Sequence, residues 1–165
     1  MTVLLYSVAI GVGATLVIDL WAATRAALFD VPVPNYGLVG RWLIGVMHGK
    51  LRLDTRAAAL PAPHERACGW IAHYLIGVAF AMVLLLSSGP AWLDQPTLAP
   101  AMIVGIGTVA APFLIMQPGM GAGIAATRTR HPWSARLQSL ITHSIFGIGL
   151  YGAGCLASLF HVSQA

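Results

Sequence analysis

Four apolar runs, at about residues 3–29, 67–88, 98–118 and 137–160, limit what this chain can fold into. Each is as long as the roughly 20 residues a helix needs to cross a hydrocarbon core about 30 Å thick. Lipid offers no partner to backbone N–H and C=O groups, so a spanning segment has to be a helix. The expectation is an all-α, polytopic membrane protein with four transmembrane helices, forming a single integral-membrane domain over residues 1–165. Charge supports this reading, because only 14 of 165 residues carry one, against about 40 in a soluble domain of that length. The first run has no basic leader and contains Asp19, so it reads as a retained helix and not as a signal peptide. Cys68 and Cys155 both lie in apolar stretches, without CxxC or Cys-His spacing, and read as packing residues.

The few basic residues predict the topology. Arg25, Arg41, Lys50, Arg52, Arg56 and Arg66 lie between the first two runs or at their edges, and Arg128, Arg130 and Arg136 between the last two. The segment between the second and third runs has only Asp94. All nine cations therefore fall on one side, which the positive-inside rule makes the cytoplasm, leaving both termini periplasmic. The sequence pI of about 9.6 then reflects orientation and a weak attraction to anionic lipid. A nucleic-acid footprint would need a soluble basic face, so no nucleic-acid partner is expected. Trp92 and Trp133 sit where interfacial anchors belong, at the outer and inner boundaries.

The first cytoplasmic connection is not uniform. Prolines in Asp30-Val31-Pro32-Val33-Pro34-Asn35 end the first helix, and residues 36–49 form a second apolar stretch of only 14 residues. That length is too short to span and fits a re-entrant or interfacial helix.

Three ionisable residues fall inside the runs, a rare placement that marks a candidate site. Asp19 lies six residues before Arg25, His73 seven after Arg66, and His143 seven after Arg136. At 1.5 Å per residue, all three lie roughly 10 Å in from the cytoplasmic edge. Small residues flank them at helical spacing: Gly11 and Thr15 with Asp19, Gly69 and Gly77 with His73, and Gly147 with His143. Membrane helices pack along such stripes, so the polar groups are expected to converge in the bundle interior. The third run is broken by Pro112 and by Met116-Gln117-Pro118-Gly119-Met120-Gly121-Ala122-Gly123. Such backbone is tolerated at membrane depth only where protein or a polar cavity covers it, which places Met116 and Gln117 near the same layer. Arg41 is expected to partner Asp19 or to snorkel to the membrane surface.

That chemistry suits a cation, a proton or a small polar solute, in a permease-like or ion-binding protein. The predicted ligand-binding residues are Asp19, His73, His143, Gln117, Met116 and Arg41. A transition metal would take Asp19, His48, His73 and His143, since imidazole suits zinc, copper, iron or nickel. One alternative is a membrane haem redox protein ligated by His73 and His143. Another is a structural or assembly subunit whose buried polar groups fix helix register. No Walker loop, HExxH or GxSxG motif occurs, so no catalytic residue is assigned and the chain reads as non-enzymatic. Its partners would be the bilayer and, since four helices are few for a transporter, a second copy or another membrane subunit.

Several motifs run through the whole chain in order: Asp19-Leu20-Trp21, Pro34-Asn35, Gly40-Arg41-Trp42, His48, Glu65, Gly69-Trp70-Ile71-Ala72-His73-Tyr74, Met116-Gln117-Pro118-Gly119, and His143 with Phe146-Gly147-Ile148-Gly149-Leu150-Tyr151. In this the chain resembles an uncharacterised family of small four-helix bacterial inner-membrane proteins, a domain of unknown function. The resemblance implies the architecture and supplies no activity.

Overall fold

The computed structural model describes residues 2–53 and 60–162, with no strand among them. The helices are α1 (Thr2–Phe29), α2 (Tyr36–Met47), α3 (Pro63–Ser88), α4 (Leu98–Gly107) and α5 (Pro132–Val162). A 3₁₀ turn, Pro90–Leu93, precedes α4. After α4 come a π-helical segment, Pro112–Met116, a single turn, Gln117–Gly119, and a 3₁₀ turn, Ile124–Ala126. Four segments are long and apolar enough to cross a membrane: Val3–Phe29, Pro63–Ser88, Leu98–Gly119 and Pro132–Phe160.

Helix boundaries follow local chemistry. α1 stops where Asp30 turns into the left-handed region at φ 51°, with Pro32 close behind. α3 and α5 begin four and five residues before the apolar runs that announce them. In both cases proline occupies the first helical position, where its missing N–H costs nothing. In α3 the Glu65 carboxylate also reaches back to the Ala62 N–H at 2.7 Å, satisfying one of the orphan donors of the first turn. Pro112 removes the N–H that an α-helix would give to Thr108, and the chain widens into the π-helical segment there. α2 has 12 residues, about 18 Å of helix, and so is too short to span.

The chain forms two compact units. The first comprises Met1–Val33, Tyr74–Thr108 and Ile141–Ala165. Its core is Tyr6, Ile10, Ala14, Leu84, Leu85, Trp92, Leu93, Ala101, Phe146 and Leu150. The small-residue stripes are its seams. A Cβ on Gly11 would overlap the Val78 backbone, and one on Gly105 would overlap the backbone of Gly147. Ser7 and Thr15 are fully buried and return their hydroxyls to the carbonyls of Val3 and Gly11, at 2.8 and 2.7 Å, so neither needs a partner on another helix. Trp92 corrects an expectation. It is only 6% exposed, its ring lies over Gly154, and Nε1–H donates to the Thr97 carbonyl, so it is a core residue and not a surface anchor.

The second unit comprises Pro34–His73 and Val109–Leu140. Here α2 lies against the start of α3 by mutual glycine contact. A Cβ on Gly40 would strike the Glu65 carbonyl, and one on Gly69 the Tyr36 carbonyl. Trp42 packs its ring on Gly119 and donates Nε1–H to the Leu51 carbonyl at 3.1 Å, while the Leu53 N–H donates to the Gly119 carbonyl at 2.8 Å. Trp133, 79% exposed, lies under the Arg136 guanidinium at 4.8 Å.

Candidate functional site

Asp19, His73 and His143 lie ten, ten and eleven residues from the Phe29, Pro63 and Pro132 ends of their own helices. The even spacing read from the basic residues therefore survives in helix coordinates. The fully buried Asp–His cluster expected from it does not. All three side chains are half-buried, and each makes a hydrogen bond to a different hydroxyl. Tyr74 Oη donates to Asp19 Oδ2 at 2.8 Å. Tyr36 Oη meets His73 Nε2 at 3.0 Å, with the two rings stacked at 4.2 Å and Trp70 edge-on to the imidazole. Thr108 Oγ1 lies 3.0 Å from His143 Nδ1, which is also 3.2 Å from the Gly105 carbonyl. A carbonyl only accepts, so His143 carries its proton on Nδ1, which leaves Nε2 as the acceptor nitrogen.

The predicted metal set is not brought together among the described residues. Among the described residues no group of three or more His, Cys, Asp or Glu side chains is arranged to hold a metal ion. His48 is exposed and gives its Nδ1–H to the Ile44 carbonyl one turn back, at 2.8 Å. The helical i to i−4 bond is closer to hand than any deeper partner. The His73 Nε2 that an axial haem bond would use is engaged by Tyr36.

Arg41, expected to partner Asp19 or to snorkel, holds Glu65. The contact is bidentate, Nε to Oε1 and Nη2 to Oε2, each 2.9 Å, with the two side chains 17% and 15% exposed. The Glu65 hydrogen bond raises the Arg41 guanidinium above its ordinary pKa, against the cost of desolvation. One carboxylate thus caps α3 and clamps α2 to it. Gln117 donates Nε2–H to Ser139 Oγ at 3.3 Å, and its buried Oε1 has no hydrogen-bond partner among the described residues. Met116 is half-buried and accepts, through its carbonyl, the N–H of Met120.

Sequence reasoning therefore missed the hydroxyls and the clamp. Tyr74 directly follows His73, and Thr108 lies four residues before Pro112, where a broken helix frees polar groups. Those adjacencies were the available signals. Tyr36 had none, because its partner lies 37 residues away.

These contacts gather many of the motif residues read from the sequence: Tyr74 on Asp19, Arg41 on Glu65, Gly40 and Gly69 at one crossing, and Trp42 on Gly119. The chain matches, over residues 8–157, the protein family described as "Protein of unknown function (DUF2938)". It belongs to that family. The match covers all five helices, α1 and α5 in part, and every residue just named. No curated protein and no solved structure matches the chain.

Proposed function

We propose that this family member is a non-enzymatic, multi-pass protein of the bacterial inner membrane, and that Asp19, His73 and His143 each take up and release protons within their own hydrogen-bonded pairs. In this reading residues 1–165 form one integral-membrane domain with four crossings and both termini periplasmic, and its partner is the bilayer. Support for the crossings comes from the long helices and from the apolar residues they leave uncovered, such as Leu5, Leu20, Leu86, Ile103 and Leu156 at 65–72% exposure. Apolar surface on that scale needs a covering phase.

The observation that carries the site is the pairing of all three ionisable side chains with hydroxyls. A hydroxyl is donor and acceptor at once. Tyr74 can donate to an Asp19 carboxylate or accept from the protonated acid. Tyr36 can donate to neutral His73 or accept from the imidazolium, and His143 can gain a proton at Nε2 while Nδ1–H stays bonded. Each group can change charge without stranding its neighbour, which a fixed metal ligand set or a permanent ion pair would not permit. Infrared difference spectra of the purified protein across about pH 5 to 8 test this reading. A carboxyl band that is present in the wild-type difference spectrum and absent from that of Asp19→Asn is expected. A difference spectrum that is the same in the wild type, Asp19→Asn, His73→Gln and His143→Gln overturns the reading.

A further inference from the structure

Charge is divided very unevenly between the two units. The second holds eight of the nine basic residues against two acids, net +6, and the first holds Arg25 against three acids, net −2. Within the second unit, the segment from Gly119 to the start of α5 stands apart. Residues 95–165 contain no Asp or Glu, so nothing nearby in sequence neutralises Arg128, Arg130 and Arg136. Arg128 and Arg130 are exposed and make no ion pair among the described residues.

The segment is also built. The Arg128 N–H donates to the Ala122 carbonyl at 2.8 Å, the Ala122 N–H to the Gln117 carbonyl at 2.8 Å, and Thr129 bonds Ala126 through both its N–H and its hydroxyl. Ala125 and Ala126 are held at φ 48° and 61°, a left-handed conformation that costs a non-glycine residue about 1 kcal/mol or more. Arg136 is part of the same construction. Its Nε–H donates to the Ala125 carbonyl at 2.7 Å and its guanidinium lies over the exposed Trp133 ring. An indole exposed at a helix start, with a guanidinium fixed on its face and two unpaired arginines just upstream, combines an apolar body with excess positive charge.

We propose that this segment is a binding site for the phosphate headgroup of an anionic phospholipid, with Arg128 and Arg130 taking the phosphate and Trp133 lying among the acyl carbons beside Arg136. The proposal rests on the membrane reading above. Charge complementarity selects the occupant, since anionic lipid is what a basic segment beside a membrane helix meets at the cytoplasmic surface. Trp at that depth seats its ring at headgroup level.

Native mass spectrometry of the detergent-solubilised protein tests the proposal, by titration with phosphatidylglycerol, phosphatidylcholine or inorganic phosphate. The variants are R128Q/R130Q, with W133A as a second probe of the site, and the charge-matched control R52Q/R66Q at two other exposed arginines. The wild type is expected to take phosphatidylglycerol over phosphatidylcholine. The affinity should fall about fivefold per arginine, or about 25-fold in R128Q/R130Q, and should be largely kept in R52Q/R66Q. Equal losses in both double variants would mean general charge attraction and would overturn the site. So would an unchanged R128Q/R130Q, or displacement of the lipid by inorganic phosphate at equal concentration. Alkaline washing of reconstituted vesicles separates the two readings. A chain stripped from the vesicles refutes the membrane reading and this one with it, whereas a retained chain without lipid preference refutes only the headgroup site.

Discussion

The two units are held together by different means. The first is an apolar assembly whose helices meet backbone to backbone at glycine, and whose buried hydroxyls bond within their own helices. The second has few buried side chains and relies on directional contacts: the bidentate Arg41–Glu65 pair, the Glu65 cap on Ala62, the Trp42 bond to Leu51, and the backbone bond from Leu53 to Gly119. Under the membrane reading proposed above, the difference follows from what would surround each. Where helices are coated by lipid no hydrophobic force draws them together, so close packing of small residues has to do it. Where chain lies near water and carries net positive charge, specific pairs give orientation that apolar contact does not.

Glycine substitutions should break this contrast most sharply. Gly11→Ala and Gly105→Ala force a Cβ into facing backbone that cannot rotate away, and each should cost about 1–3 kcal/mol or prevent folding. Gly107→Ala and Gly152→Ala face open space and should stay within about 0.5 kcal/mol of the wild type. Thermal unfolding in detergent reads both pairs, and equal effects at all four positions would refute the seams. Somewhat smaller is Gly119→Ala, since the obstacle there is the Trp42 ring, a side chain able to shift. Increased hydrogen exchange at the Leu53 N–H is its expected mark.

The clamp predicts an order of effects. Glu65→Ala loses both the Arg41 pair and the α3 cap, whereas Arg41→Ala loses only the pair. Amide exchange of α2 should therefore rise in both variants, and exchange at Ala62 only in Glu65→Ala. Exchange at Ala62 that rises equally in the two would show that the cap depends on Arg41. The smallest effects belong to the hydroxyls. Tyr74→Phe and Thr108→Val should each cost about 0.6 kcal/mol, the mean for hydrogen bonds between membrane helices. Their larger signature should be spectroscopic, as a displaced Asp19 carboxyl band in Tyr74→Phe. An unmoved band would detach Tyr74 from the proposed proton site.

How much of this was legible beforehand differs from residue to residue. The four long helices were, because twenty apolar residues have one way to satisfy their backbone in lipid. The starts of α3 and α5 differ from those of the apolar runs because hydropathy marks only where apolar sequence begins, while Pro63, Pro132 and the Glu65 cap mark where the helix begins. The stripes through Gly11, Gly69, Gly77 and Gly147 correctly announced packing, since spacing along a helix fixes which residues share a face. Trp92 was misread because its position at a helix end is the same whether the ring turns outward or onto Gly154.

The polar residues divide in the same way. Sequence alone determined that Asp19, His73 and His143 would lie at similar distances from the ends of their own helices, since rise per residue is constant. It also determined that no cation would fall between residues 67 and 127. Only the tertiary structure decided that Asp19 meets Tyr74, His73 meets Tyr36 and Arg41 meets Glu65. Depth is one coordinate, whereas a partner also depends on rotation about the helix axis and on which neighbour comes close, and those are fixed by contacts made between residues far apart in the chain.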